Sequence, residues 1–97
     1  MSETQISEEA YVEFLNDAPV GRELSVRVLY PNEIRVHPTV RAIDFKRVED
    51  GFESVRWVTI TSGISKQISF TIEVLAMYAG RGWVQIDVTK VWEQKEP

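Results

Sequence analysis

The sequence predicts an α+β fold in which one N-terminal helix is followed by a five-stranded antiparallel meander, strongly curled or barrel-like. Two observations support it. Apolar residues repeat with a helical period only near the N-terminus, and from residue 22 onward they alternate with polar residues in runs rich in Val, Ile, Thr and aromatics. Because an apolar sheet face must pack against something, the sheet has to curl on itself or be covered by the helix.

The helix is predicted over residues 7–17, SEEAYVEFLND. Ser7 is a suitable N-cap, and the two acids that follow it lie in the first turn, where the helix dipole favours negative charge. Pro19 and Gly21 end the pattern. Apolar residues recur at helical spacing and form one side of this helix, which consists of Tyr11, Phe14, Leu15 and Ala18.

Five strands are predicted after the helix, at residues 23–30 (continued by 34–36), 40–48, 53–61, 68–79 and 82–92. Their even-numbered positions carry most of the apolar side chains, so that face is predicted to be the core. It includes Leu24, Val26, Val28, Tyr30, Ile34, Val36, Val40, Phe70, Ile72, Val74, Tyr78, Val84 and Ile86.

Cross-strand pairing fixes the register of the second hairpin, because residues directly opposite each other share a face. A three-residue loop at 49–51 places Asp44 opposite Arg56 and Ile43 opposite Trp57, which gives an opposite-charge pair and an apolar pair. In this register the loop glycine is the bulge residue that needs positive φ.

The stretch Gly80-Arg81-Gly82 is predicted to be a second three-residue hairpin loop, with Tyr78 opposite Val84 and with Gly82 as the bulge glycine at positive φ. A phosphate-binding loop is not supported, because no crossover helix follows the glycines.

Composition indicates an ordinary globular protein. The chain has 97 residues, 43% apolar and 27% charged, and is expected to form one domain with residues 1–6 flexible and 93–97 as a tail. The absence of cysteine excludes disulfides, thiolate zinc sites and cysteine nucleophiles. Without a basic start, an apolar signal region or a membrane-length apolar run, a cytoplasmic location without membrane contact is expected.

The charge is unevenly distributed. The net charge is −4, and residues 1–21 carry five acids and no base. The rest of the chain is therefore close to neutral. A polyanion mimic would be more acidic throughout, and a dedicated duplex-DNA binder would be basic overall.

One end of the odd-numbered strand face breaks its polar pattern and predicts an exposed apolar patch, which usually marks an interface. The expected partner is another protein or a second copy of the chain. Two alternatives bury these side chains instead: the helix covers them, or bulges near Ala42-Ile43 rotate the strand ends inward. The patch consists of Ile43, Phe45, Val55, Trp57, Leu75, Met77 and Trp83, with Arg81 at its rim.

The sequence contains no recognisable catalytic constellation. His37 is the single histidine, and no sequence pattern supplies the partner that would orient its imidazole for acid–base chemistry. Zinc would be left with carboxylate ligands almost alone. We therefore expect neither an enzyme nor a metal or cofactor site.

The leading hypothesis is a small non-enzymatic binding protein of the accessory, inhibitor or immunity type that acts through the apolar patch. One alternative is a single-strand nucleic-acid binder, since arginines beside aromatic residues on a sheet can bind single strands. Its residues are Arg27, Arg35, His37, Arg41 and Trp57. A second alternative is a small-ligand carrier with its cavity inside the barrel.

Overall fold

The computed structural model describes residues 6–59 and 67–89, with the backbone alone at 57–59. Within these residues, two helices and a five-stranded antiparallel sheet curled into a half-barrel form an α+β fold, which confirms the predicted class. A second helix is present that the sequence pattern did not predict. The elements are α1 (Glu8–Asn16), β1 (Glu23–Val28), a 3₁₀ helix (Pro31–Ile34), β2 (Val40–Val48), β3 (Gly51–Thr59), β4 (Ser69–Thr71), α2 (Ile72–Gly80) and β5 (Val84–Ile86).

Helix α1 forms as predicted. The Ser7 side chain accepts a hydrogen bond from the Ala10 amide at 3.1 Å, and this bond satisfies one of the free donors of the first turn. The predicted apolar side packs on the core, with Leu15 and Ala18 buried and Tyr11 and Phe14 half-buried.

The strand order is β4-β3-β2-β1-β5, with every neighbouring pair antiparallel. The first four strands form the expected meander. The fifth pairs with β1 at the opposite edge of the sheet, so the expectation of a continuous meander is wrong at the last link. Helix α2 connects the two edges, and α1 packs against it.

A β-bulge in β2 changes which residues face inward. The register shifts between Val40 and Ala42, so Arg41 is an extra residue on this strand. Val40 is buried, and beyond the bulge the buried residues are the odd-numbered Ile43, Phe45 and Arg47. The expectation that Ile43 and Phe45 lie on an exposed patch is therefore wrong, because the bulge rotates them into the core.

The β2–β3 hairpin confirms part of the predicted register. Asp44 pairs with Arg56 and Ile43 with Trp57, as expected. Nearer the turn the prediction is wrong: Val48 pairs with Gly51, so the loop has two residues, and a second bulge leaves Val55 as the extra residue of β3.

Gly51 is needed for close approach rather than for positive φ. A Cβ on Gly51 would lie 2.2 Å from the carbonyl oxygen of Phe70, which is in the adjoining strand β4. Only glycine allows the two backbones to approach this closely.

Helix α2 replaces most of the strand predicted over 68–79. Thr71 caps it, accepting a hydrogen bond from the Val74 amide at 3.1 Å, and Glu73 lies in the first turn. Leu75, expected on the exposed patch, is fully buried in the core. The buried side of α2 has the helical spacing i, i+3, i+4, i+7 and consists of Ile72, Leu75, Ala76 and Ala79.

We predict that Gly51→Ala destabilises the fold by about 1–3 kcal/mol, because the added Cβ forces β3 and β4 apart. Urea unfolding followed by circular dichroism measures this loss. Gly80→Ala is the matched control: its Cβ meets only Glu8, at 3.3 Å or more, and alanine is the better helix former. Equal stability of Gly51→Ala and the unmodified chain would contradict the close-approach argument.

Candidate functional site

The C-terminus of α2 is a Schellman motif. The Trp83 amide donates to the Tyr78 carbonyl at 2.9 Å and the Gly82 amide donates to the Ala79 carbonyl at 3.0 Å. Gly82 has the positive φ, 81°, that this motif requires. The positive φ predicted for Gly82 is confirmed, but it ends a helix and does not form a hairpin bulge. The Tyr78 and Trp83 rings, 5.7 Å apart, make the apolar contact that accompanies such helix ends.

The Trp83 carbonyl joins this helix end to the end of β1. It accepts hydrogen bonds from the Leu29 amide at 3.0 Å and the Tyr30 amide at 3.1 Å. The chain then enters the 3₁₀ helix with Pro31 in its first turn, and Arg35 closes it in the left-handed region at φ 62°. The predicted strand at 34–36 is therefore absent.

The side chains of Leu29 and Tyr30 are exposed. Tyr30 is 57% exposed and Leu29 is 46% exposed. From the sequence, Tyr30 is expected to face the core. That expectation is wrong, because β1 ends at Val28 and the alternation of faces stops before Tyr30. Two large, adjacent side chains are thus exposed.

A continuous series of aromatic contacts leads from the core to this surface. Ring centroids lie 5.3–6.5 Å apart along the series, and the Arg81 guanidinium lies 5.2 Å from the Trp83 ring, within cation–π range. The outermost ring, that of Trp83, is therefore held by the Tyr78 ring behind it and by the Arg81 guanidinium beside it. The series runs in the order Phe52, Phe45, Phe70, Tyr78, Trp83.

We call this surface the aromatic end and define it as Leu29, Tyr30, Met77, Arg81 and Trp83. Met77 and Trp83 are half-buried and Arg81 is exposed. Met77, Arg81 and Trp83 belong to the predicted patch, and the structure brings Arg81 and Trp83 into contact.

Two other members of the predicted patch lie elsewhere. Val55 is 44% exposed at the bulge of β3. Trp57 pairs with Ile43 in the ladder, and its side chain lies outside the described part of the chain. The patch as predicted is therefore divided, and the aromatic end is what remains of it together with Leu29 and Tyr30.

Four residues of the nucleic-acid alternative, Arg27, Arg35, His37 and Arg41, are exposed near the same end of the sheet, where β1 ends and β2 begins. Arg27, Arg35 and Arg41 form no ion pair among residues 6–59 and 67–89. His37 Nδ1 lies 3.2 Å from the Thr39 amide, which donates to it, and 2.8 Å from the Thr39 hydroxyl. The imidazole thus stabilises a local turn.

The outer face of the sheet carries a polar network centred on Asp44. The Ser25 hydroxyl donates to Asp44 at 2.7 Å, and Arg56 Nε donates to its second oxygen at 3.0 Å. The hydrogen bond from Ser25, and then that from Arg56, lowers the pKa of Asp44 below its ordinary value of 3.8. Arg56 also approaches Glu23 at 3.6 Å, so the network spans three strands.

Within the described part of the chain, no group of three or more His, Asp or Glu side chains is arranged to hold a metal ion. Neither helix described here has the length and apolar character needed to cross a bilayer.

Comparison with protein-family models, with curated proteins and with solved structures finds no match to this chain. The geometry of its own residues therefore carries the functional argument.

Sequence reasoning missed Leu29 and Tyr30, although both gave a signal. In the run from Glu23 to Tyr30 the odd-numbered positions are polar except for Leu29. Tyr30 directly precedes Pro31, and a proline there disfavours continuation of a paired strand.

We predict that Asp44→Asn lowers the free energy of unfolding at pH 7. We also predict that the variant loses less stability in acid than the unmodified chain does. The folded-state pKa of Asp44 is depressed, so its stabilisation is present above about pH 4 and disappears as the pH falls through that lowered pKa. Urea midpoints at about pH 7, 4 and 2.5 measure the difference between variant and unmodified chain, which should shrink toward the lowest pH. Asp50→Asn, at the exposed hairpin turn, is the control. An Asp44→Asn difference that does not change with pH would contradict this account.

Proposed function

We propose that this chain is a small non-enzymatic binding protein that acts by contacting a protein partner, either a different protein or a second copy of the chain, through the aromatic end. The observation that carries the proposal is the exposure of Leu29 and Tyr30 side by side, on a backbone hydrogen-bonded to Trp83. Exposed apolar side chains that lie next to each other in one patch usually mark an interaction surface. Accessory, inhibitor and immunity-type proteins work in this way, and the cysteine-free composition fits action in the reducing cytoplasm.

The chemistry of the aromatic end supports a protein partner. Its members are Leu, Tyr, Met, Arg and Trp, and four of these types are enriched in interface cores. Tyr, Trp and Arg also dominate the few residues that supply most of the binding free energy. Arg81 beside the Trp83 ring combines two of them in one contact.

The backbone of the aromatic end is already ordered, which favours binding. The helix end is fixed by the Gly82 and Trp83 amides, and the β1 end by the two amides that share the Trp83 carbonyl. A surface held in this way loses little conformational entropy on association, so more of its contact free energy appears as affinity.

A second candidate function is single-strand nucleic-acid binding. It is supported by the exposure of Arg27, Arg35, His37 and Arg41 near the aromatic end, together with the absence of acidic partners for the three arginines within the described residues. The acidic helix α1 opposes it, because a polyanion would be repelled by Glu8, Glu9 and Glu13.

The ligand-carrier hypothesis has no comparable support. The side chains between the sheet and the helices are fully buried and occupy the space where a ligand would have to lie. The largest of them include Phe45, Phe52, Leu15 and Leu24.

The test is affinity capture from an extract of the native host, comparing the unmodified chain with Tyr30→Ser. We expect a captured protein whose binding the variant weakens about 30-fold or more, the effect of losing roughly 2 kcal/mol at an interface centre. Thermal unfolding of Tyr30→Ser should stay close to that of the unmodified chain, since Tyr30 is 57% exposed.

Val20→Ser is the matched control, because Val20 is 67% exposed and lies in the connection between α1 and β1. Its neighbour Gly21 donates a backbone hydrogen bond to the Arg47 carbonyl. It should capture the partner as the unmodified chain does. Equal capture by Tyr30→Ser would contradict the proposal. Salt-sensitive binding of a single-stranded oligonucleotide that is lost in Arg27→Ala and Arg41→Ala, without any captured protein, would favour the second candidate instead.

A further inference from the structure

Charges of both signs lie close together at the aromatic end. The start of α1 abuts the end of α2, since the Cα of Glu8 lies 3.4 Å from the point where a Cβ on Gly80 would stand. Arg81 follows Gly80 directly. Exposed Glu9 and Glu13 lie one turn apart on α1, a helix without a basic residue. The acidic first turn of α1 and the cation at the end of α2 are therefore neighbours.

Among residues 6–59 and 67–89, Glu9 and Glu13 form no ion pair with Arg81. Arg56 forms ion pairs with Asp44 and Glu23 on the outer face of the sheet, away from this surface. Arg81 lies over the Trp83 ring instead of pairing with the start of α1. Both signs thus remain available to a partner.

We propose that the partner of the aromatic end is a second copy of this chain, related to the first by a two-fold axis. Glu9 and Glu13 of one copy face Arg81 of the other, and the reciprocal contact forms on the other side of the axis. Tyr30 of both copies lies between the two charged contacts. This inference rests on the proposed function, because it uses the same surface.

Charge complementarity favours a second copy over other occupants. A nucleic acid or a wholly acidic protein would be attracted to Arg81 but repelled by Glu9 and Glu13 beside it, and a wholly basic protein would meet the reverse. A two-fold axis makes a patch self-complementary, since residue i contacts j while j contacts i. A surface with acids and cations side by side meets this condition.

Sedimentation equilibrium of the full chain tests the inference. We expect concentration-dependent dimers that weaken several-fold between about 0.05 and about 0.5 M salt, because salt screens exposed charges. The double variant Glu9→Lys/Glu13→Lys and the single variant Arg81→Glu should each dimerise about tenfold or more weakly. Mixing these two variants should restore dimers, because the reversed charges attract each other across one contact and the unchanged Glu9, Glu13 and Arg81 attract each other across the other.

The control is Glu49→Lys/Asp50→Lys, which changes the net charge equally at the β2–β3 turn and should dimerise as the unmodified chain does. Tyr30→Ser should weaken the dimer even if the helix variant fails to fold. A monomer at sub-millimolar concentration and low salt overturns the inference, as does a mixture of folded variants that stays monomeric. A monomer whose Tyr30→Ser variant still loses a captured protein overturns only the second copy and leaves the proposed function in place.

Discussion

The carbonyl of Trp83 is the acceptor on which the surface of this protein depends. It receives the Leu29 and Tyr30 amides, while the Trp83 amide closes the end of α2 on Tyr78. One peptide segment therefore joins the last turn of α2, the start of β5 and the end of β1. Gly82 makes this possible, because its φ of 81° is accessible to glycine with little strain and to most other residues only at a cost of about 1–2 kcal/mol.

This junction explains why aromatic side chains reach the surface without disturbing the core. The contacts that begin at Phe45 and Phe52, both fully buried, continue outward through Phe70 to Tyr78 and Trp83. The outer rings are supported from behind by buried ones, so their exposed edges are rigid. Rigid aromatic edges lose less entropy on binding than mobile ones. The candidate function thus follows from the way α2 ends.

Sequence patterning predicted the elements that local chemistry determines. Helix α1 has a cap and a clear apolar side, and the Asp44–Arg56 pair fixes the distal register of the second hairpin. It failed where two patterns compete. Ile72, Val74 and Tyr78 suit a strand, yet the other residues of Ile72–Gly80 are mostly good helix formers. Capping by Thr71 and burial at helical spacing therefore decide for the helix. Bulges near Ala42-Ile43 are an alternative that the sequence leaves open, and tertiary packing decides that one forms at Arg41 and reverses the faces of β2.

The most direct test of this account is amide hydrogen exchange in Gly82→Ala compared with the unmodified chain. If the helix end holds the end of β1, the Leu29 and Tyr30 amides should lose protection together with those of Gly82 and Trp83, by about tenfold for a strain of ~1–2 kcal/mol. The Arg47 and Ser54 amides, bonded to Arg22 and Ile68 at the far end of the sheet, should keep theirs. Unchanged protection at Leu29 and Tyr30, with loss confined to Gly82 and Trp83, would contradict the account.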